Sequence, residues 1–578
     1  METTLETGFK NLFEKNQINI WTIGNTGARN PLRLPGVFSI YTQSQSYGHL
    51  ANSKENQARF THDLSLHGLA NYSDKISTAA IIARKFRYVF EKFGFIYPEK
   101  NKKLGNKLPG PADTITPLGK TFLAAETLDA QQECYLRGLI TPIETLSDSN
   151  FFSPLLWTIK VLLALEKRTG SCDLSYIEFV TCVQTTSPNY DIDKIIDMIL
   201  SIRDLRKNAV NKKKFDKTTK ETVAKNYDKK IHNFDDYGDL NIRYLVCTGI
   251  LKRAGRGITI VSEYKDIAKE LVKGVTSSDS YMDLVVQHCN GAKLPQDNLQ
   301  TAIKLMKNYQ NALKSNNVKY SIPPLSLDTV KNVNNIISSL KSALSKFNED
   351  QYALRQKEEW FEIYNYMLCL IKNNGHKRSI GADKYVQVPT SEAASYLEWT
   401  TWRSFLAIDH ILNQPYEARG FKIDQDYLPV GTAPGNGPDL FFEFKNFALV
   451  IEVTMSTNSR QEAMEGEPVR RHVADYVEKY SDKPVIGIFI ANKIDSNTAE
   501  TFRVGIWYTK NDKRLTLKIV PFTLPQFAEY FKYMFENNKA TPEQVVQLFK
   551  ECLRAKDGKY APEWKKAIND IVQEEINS

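Results

Sequence analysis

The stretch PDLFFEFKNFALVIEVTMS, residues 438–456, constrains the fold more than any other part of the chain. Two apolar runs flank Lys445-Asn446, the pattern of two strands joined by a two-residue turn. With that turn, residues paired across the hairpin have numbers summing to 891, and Asp439 and Glu452 satisfy the sum. Directly opposite residues bring their Cβ atoms to roughly 4.5–5.5 Å. Two carboxylates at that distance repel, and apolar surroundings raise the cost. A shared divalent cation relieves both penalties, because hard cations take carboxylate and backbone oxygens, and Mg2+ keeps one or two carboxylates together with phosphate and water. The plainer alternative is that Asp439 caps a turn after Pro438 while Glu452 meets an arginine at the surface. Glu452, however, sits inside Leu449-Val450-Ile451-Glu452-Val453, where an unpaired carboxylate is expensive.

The sequence around the hairpin reads as an α/β domain with a mixed sheet. A helix is expected to begin near Thr390, with Thr390 as N-cap after Pro389, and to run through SEAASYLEWTTWRSFLAIDHIL. Leu397, Thr401, Phe405, Ile408 and Leu412 form its inner face, with Glu398 at that face's edge. A loop rich in Gly and Pro, VGTAPGNGPD, leads into Asp439. After the hairpin, SRQEAMEGEPVRRHVADYVEKY predicts a helix whose first turn is set by Pro468, so that Glu465 lies just ahead of it or, in a continuous helix, two turns before His472. PVIGIFIAN then has the continuous apolar character of a strand buried on both faces.

At 578 residues the chain exceeds one core, and its pattern divides into four parts. Residues 1–175 and 176–296 are each expected to form a winged-helix-like module, 297–385 a helical linker, and 386–578 the α/β domain. In the first module ADTITPLGKTFLAAETL reads as a strand, a turn at Pro117-Leu118-Gly119 and a helix, an order that suits a wing but is common elsewhere. In the second, a helix ends at Gly249 and a glycine-rich turn follows, Arg253-Ala254-Gly255-Arg256-Gly257, between two short strands. Such a tip serves a DNA-contacting wing, since arginine meets guanine edges and phosphates; an ordinary solvated hairpin fits equally. Residues 203–230 hold eleven Lys or Arg against four acids, either a solvated face or a phosphate-tracking one.

The formal net charge of +9 is compatible with a polyanionic partner. No CxxC occurs among the seven scattered cysteines, which argues against a zinc ribbon, and their odd number argues for reduced thiols in a cytoplasmic protein. The start, METTLETGFKNLFEKNQ, lacks a signal-peptide layout, and no apolar run reaches the roughly 18 residues of a membrane span.

Helix, acid before one strand, acid in the next strand, helix and buried strand together resemble the PD-(D/E)xK nuclease core. One position departs from it: the usual lysine two residues after the second acid is replaced by Thr454. The combination EWTTW, GNGPDL, IEVT and MEGEPVRRH resembles more closely the AlwI family of type IIS restriction endonucleases, which uses EVT in place of ExK and includes strand-specific nicking enzymes. RYLVCTGIL, the ITPLGK turn and WTIGNTGARNPLRL extend the resemblance toward the N-terminus. The resemblance implies catalytic roles for Glu398, Asp439, Glu452, Glu465 and His472. It also implies Mg2+ held by Asp439, Glu452 and the Val453 carbonyl. It further implies recognition of a short asymmetric duplex site of about five base pairs (GGATC- or GAGTC-like), with cleavage a few bases downstream. A transient homodimer through the nuclease domain, or a small second subunit, would complete double-strand cutting. Candidate DNA contacts are Arg29, Arg33, Arg84, Arg87, Lys120, Arg243, Arg253 and Arg256, with Arg470 and Arg471 on the scissile strand; Asn25 and Asn56 are candidates for adenine. Rival readings are a nicking enzyme or the large subunit of a heterodimeric one, a repair or transposition nuclease, and a non-catalytic winged-helix regulator.

Overall fold

The computed structural model describes residues 2–13, 20–51, 53–70, 72–100, 103–104, 109–226, 230–372, 377–381, 384–408, 410–424, 426–457, 460–480 and 482–577. The chain forms two compact units, Met1–Leu344 and Ser345–Ser578, each with its own apolar core. Three helices, Leu299–Ser315, Val330–Arg355 and Trp360–Lys372, occupy the stretch expected to be helical, and the boundary between the units falls inside the second. All seven cysteines are buried free thiols. Among the described residues, no helix is long and apolar enough to cross a membrane.

The first unit is mostly helical. One of its helices, α1 (Ile76–Lys92), buries Ala79, Ala80, Ala83, Phe86, Val89 and Phe90. Another, α2 (Ile231–Val246), leads through Gly249, at φ +72°, into a hairpin of Leu251–Ala254 against Gly257–Ile260. A short helix, Lys265–Leu271, follows, so this segment has the expected helix–hairpin–helix order. The earlier segment differs from expectation. Pro117-Leu118-Gly119 do not form a turn: Pro117 opens a helix, Pro117–Leu123, and the Thr116 side chain accepts from Gly119 N at 2.9 Å. Proline with its fixed φ suits the first helical position, and threonine caps it. The expected strand is reduced to one bridge, Ile96 to Ile115.

The second unit is built on a mixed four-stranded sheet: β1 (Leu440–Glu443), β2 (Ala448–Thr454), β3 (Val485–Ala491) and β4 (Ile519–Thr523), in the order β4-β3-β2-β1. β2, β3 and β4 run parallel, and β1 runs antiparallel to β2. The pairs Leu440–Ile451, Phe441–Val450, Phe442–Leu449 and Glu443–Ala448 all sum to 891. Phe444 N donates to Phe447 O at 2.9 Å, which makes Lys445-Asn446 the two-residue turn. Every residue of β3 is buried, as a central strand requires.

Two helices bring side chains to this sheet. The first, α3, spans Ala393–Leu406; Thr390 lies in a preceding 3-10 turn and caps nothing. Ser395 to Phe405 are buried all round, so past its first turn α3 has no solvent edge at Glu398, whereas Leu412, beyond its end, is 55% exposed. The second, α4, spans Gln461–Lys479 and contains Pro468 in its interior. It starts seven residues before the proline because buried Gln461 ties its first turn down: Gln461 Nε2 donates to Ser456 O and Lys493 O, and Gln461 Oε1 accepts from Asp495 N. α4 settles on the sheet over Gly487, where an added Cβ would stand 2.6 Å from Val473 Cγ2. A Gly487→Ala substitution is therefore expected to lower stability by about 1–3 kcal/mol, read by thermal denaturation; an unchanged melting temperature would show that α4 can shift freely.

Candidate active site

The residues singled out by sequence meet at one end of the β1–β2 hairpin. Asp439 immediately precedes β1, and its Oδ2 accepts from Val453 N at 2.8 Å. Glu452 lies in β2, 7% exposed, and its Oε1 is 2.6 Å from His472 Nδ1 on α4. Glu398, 4% exposed in the middle of α3, accepts from Ala433 N at 2.8 Å through Oε2. That bond ties the Gly- and Pro-rich loop to α3 just before the chain reaches Asp439. Glu465 stands inside α4 rather than ahead of it, seven residues and two turns before His472.

Burial and mutual repulsion govern the charge state of this group. Burial first, and then the charges of Asp439 and Glu452, push the Glu398 carboxyl up to about 9 against a backbone donor at Ala433. Burial and the Glu452 charge raise Asp439 well above the usual carboxylate range. Burial and the Glu465 charge lift Glu452 to about 8, opposed by hydrogen bonds from Asp439 and by the Arg471 charge. Burial raises both carboxyls of the Asp439–Glu452 pair, so without a cation the pair retains a proton. Glu465 is raised by burial, against a hydrogen bond from Thr454. Thr454 Oγ1 accepts from Ser456 N at 3.1 Å, which leaves its own proton for Glu465. Burial and Arg471 lower His472. The neutral ring donates from Nδ1 to Glu452 and keeps Nε2 as a buried acceptor with no partner among the described residues.

The donor set suits a hard cation. Val453 N holds Asp439 Oδ2 and His472 Nδ1 holds Glu452 Oε1, which fixes both carboxyls at the hairpin end. The Val453 carbonyl points to the same side of β2 as its N–H, toward Asp439. Among the described residues, no group of three or more His, Cys, Asp or Glu is gathered as a ligand cluster. Two carboxylates with a main-chain oxygen are a Mg2+-type set completed by water and phosphate, and not the closed nitrogen and sulfur cage of zinc.

Residues 91–530, well over half of the chain, match the AlwI restriction endonuclease family. The chain belongs to that family. It is accordingly a restriction enzyme, a site-specific nuclease acting on DNA. The crystal structure of the small subunit (R.BspD6I2) of the heterodimeric restriction endonuclease R.BspD6I is similar at 19% identity, over 37% of this chain and 98% of that one, with a TM-score of 0.27. No curated protein matches.

In this AlwI-family chain the expected DNA-contacting residues are scattered, and several are already engaged. Arg87 is turned inward, 13% exposed, with Nε 2.6 Å from Asp113 and its other nitrogens near Glu91 and Glu99. That interior brace leaves it no fork for DNA. Arg243 and Arg253 both pair with Asp239, at 3.0 and 3.5 Å. Arg256 is exposed at the hairpin tip, 4.5 Å above the Tyr176 ring. Arg29 is 45% exposed and 3.4 Å from Asp236, Arg33 is half-buried, and Arg84 and Lys120 are exposed. Asn25 holds Gly27 N within a turn, and Asn56 Oδ1 accepts from Arg59. In α4, Arg470 turns away to Gly466 O, Ile506 O and the Trp507 ring, while Arg471 pairs with Glu467 and its charge reaches Glu452.

Sequence reading missed the buried Arg403, 1% exposed, which donates to Gln356 at 2.6 Å, Glu359 at 2.6 Å and Glu362 at 3.0 Å. A lone arginine in the apolar run of α3, with two acids three residues apart at the start of the preceding helix and in the turn before it, was the available signal.

The raised carboxyls set a pH dependence. Glu398 and Glu452 titrate near 9 and 8 in the folded chain and near 4.5 when unfolded. The folded state thus binds more protons between those values, so stability falls as pH rises from about 4.5 to 8–9 and levels off above that. The metal-free protein is expected to melt at a lower temperature at pH 9 than at pH 6. Added Mg2+ should raise the melting temperature more at pH 9, because metal binding releases the protons. Calorimetry in EDTA and in Mg2+ at both pH values checks this, and equal Mg2+ shifts at the two would contradict it.

Proposed function

We propose that the chain is a Mg2+-dependent type IIS restriction endonuclease: it reads a short asymmetric duplex site, GGATC- or GAGTC-like, and hydrolyses phosphodiester bonds a few bases downstream. One observation carries the reading. Within an AlwI-family chain, Glu398, Asp439 and Glu452 converge at the hairpin end with no lysine among them, and their raised carboxyls call for a cation. We assign Asp439, Glu452 and the Val453 carbonyl to hold Mg2+. Bound there, the ion supplies charge relief on the phosphoryl oxygens, a more acidic water and help for the leaving 3′ oxygen.

The remaining roles fall to protein groups. Val453 N–H and neutral His472 orient the two metal-holding carboxylates, each from one side. Glu398, anchored through one oxygen to Ala433 N, is assigned to hold a water with the other. Glu465, steadied by Thr454, and the unpartnered Nε2 of His472 are the acceptors assigned to take a proton from the attacking water. Arg471 at the rim is assigned to the scissile strand. For DNA reading, the helix–hairpin–helix of 231–271 is kept as the winged-helix element, with Arg256 at its tip.

A second reading shares this site. One such constellation per chain cuts one strand at a time, which favours a strand-specific nicking enzyme, or a large subunit that needs a transient homodimer or a small partner to cut both. Supercoiled plasmid digested with Mg2+ separates the two: linear product supports double-strand cutting, and open circle supports nicking. Asp439→Ala and Glu452→Ala are each expected to abolish cleavage while site-specific binding persists in a mobility-shift assay. Cleavage at the wild-type rate by either variant would remove that residue from the metal site.

A further inference from the structure

We infer that α1 is the helix that enters the major groove of the recognition site, and that Arg84 on its outward face reads a base there. The inference rests on the restriction-endonuclease reading and assigns its sequence-reading task to one surface. α1 has 17 residues and spans about 25 Å. Its alanines and phenylalanines face the core, and its outward stripe is Ser77, Ile81, Arg84 and Tyr88, spaced by four, three and four residues. All four are exposed, and Ile81 and Tyr88 leave apolar surface uncovered at 41% and 38% exposure.

The outward stripe of α1 itself carries one charge, that of Arg84. The sequence ISTAAIIARKFRYVFEK has no acid before Glu91, and Glu91 faces Arg87. Arg84 has no hydrogen bond or ion pair among the described residues, in contrast to Arg87, Arg243 and Arg253. The turn Asn25–Arg29 lies alongside. Lys85 crosses Gly27 so closely that an added Cβ there would stand 2.0 Å from Lys85 Cδ. Asn25 Oδ1 accepts from Gly27 N at 3.1 Å and fixes that turn, which ends in the exposed Arg29. Arg84, Lys85 and Arg29 therefore flank an apolar strip on a regular helix.

That combination matches duplex DNA. An α-helix fits the major groove, an arginine fork takes guanine O6 and N7, and an apolar side chain such as Ile81 meets a thymine methyl. Lys85 and Arg29 stand at the margin, where phosphate contacts fix register.

The test uses the full chain in EDTA, so that binding is read without cutting, with a randomised duplex library as probe. The wild type is expected to enrich one short motif. Arg84→Lys keeps the charge but lacks the planar fork. It should lose preference at one base pair by roughly tenfold to a hundredfold while the other positions stay selected. An Arg84→Lys profile equal to wild type would overturn the assignment, as would an Arg84→Ala variant that weakens binding to all sequences alike. A wild type that enriches no motif would overturn the restriction reading itself, and the assignment with it.

Discussion

Repulsion among carboxyl groups gathered at one end of the β1–β2 hairpin is the constraint on which the second unit depends. Glu398 and Glu452 are buried, Asp439 is half-buried beside them, and Glu465 adds its field. Left to themselves, such groups would part or stay protonated. Each is held in place by one donor on one oxygen: Ala433 N for Glu398, Val453 N for Asp439, His472 Nδ1 for Glu452. Two of those donors are main-chain groups on the loop and strand that also supply the acids. The backbone therefore fixes the geometry, and the charge is left for something else to neutralise.

The same division appears across α3. Arg403, five residues after Glu398 and hence on another side of the helix, is buried against Gln356, Glu359 and Glu362, with its guanidinium 4.6 Å from the Trp399 ring. Removing one partner of such a network strands a charge, so it locks α3 to the helix before it. A cation is thus committed to structure on one side of α3, and an uncompensated acid is presented on the other. α4 repeats the logic: Arg470 is drawn to Ile506 O and the Trp507 ring, and only Arg471 keeps its field on the site.

How far the sequence foretold this depended on whether a feature was local. The hairpin register was legible because a two-residue turn and a period of two leave one pairing, and β3 was legible because seven buried residues in a row fit a central strand. The pairing of Asp439 with Glu452 followed from that register, and the joining of Glu398 and His472 to them was implied by the resemblance to the AlwI family. What failed depended on partners distant in sequence. Pro468 reads as a helix start until Gln461 is seen bonded to Lys493 and Asp495, some thirty residues on. Glu398 reads as an edge residue until the loop carrying Ala433, thirty-five residues on, is seen bonded to it. Arg87 reads as a surface cation, yet Asp113 draws it inward. Pro117 was a local error, since Thr116 before it already supplied the cap.

The threonine at position 454 ties these features to substrate handling. A lysine there would put a fixed positive charge beside Glu452; Thr454 instead gives a hydroxyl to Glu465 and adds no charge. In the proposed mechanism the pocket then has four carboxyls against Arg471, although the chain as a whole carries +9. Duplex DNA is drawn to the protein by the overall field, but a scissile phosphate meets repulsion at the pocket until the carboxylates are neutralised. Protons achieve that at low pH without providing an activated water. Mg2+ achieves both, so ion and scissile phosphate each raise the affinity for the other, and by linkage the two effects are equal. A nuclease that reads one stretch of duplex and cuts another gains from this arrangement, because its cutting site has little affinity for a phosphodiester unless the ion is present.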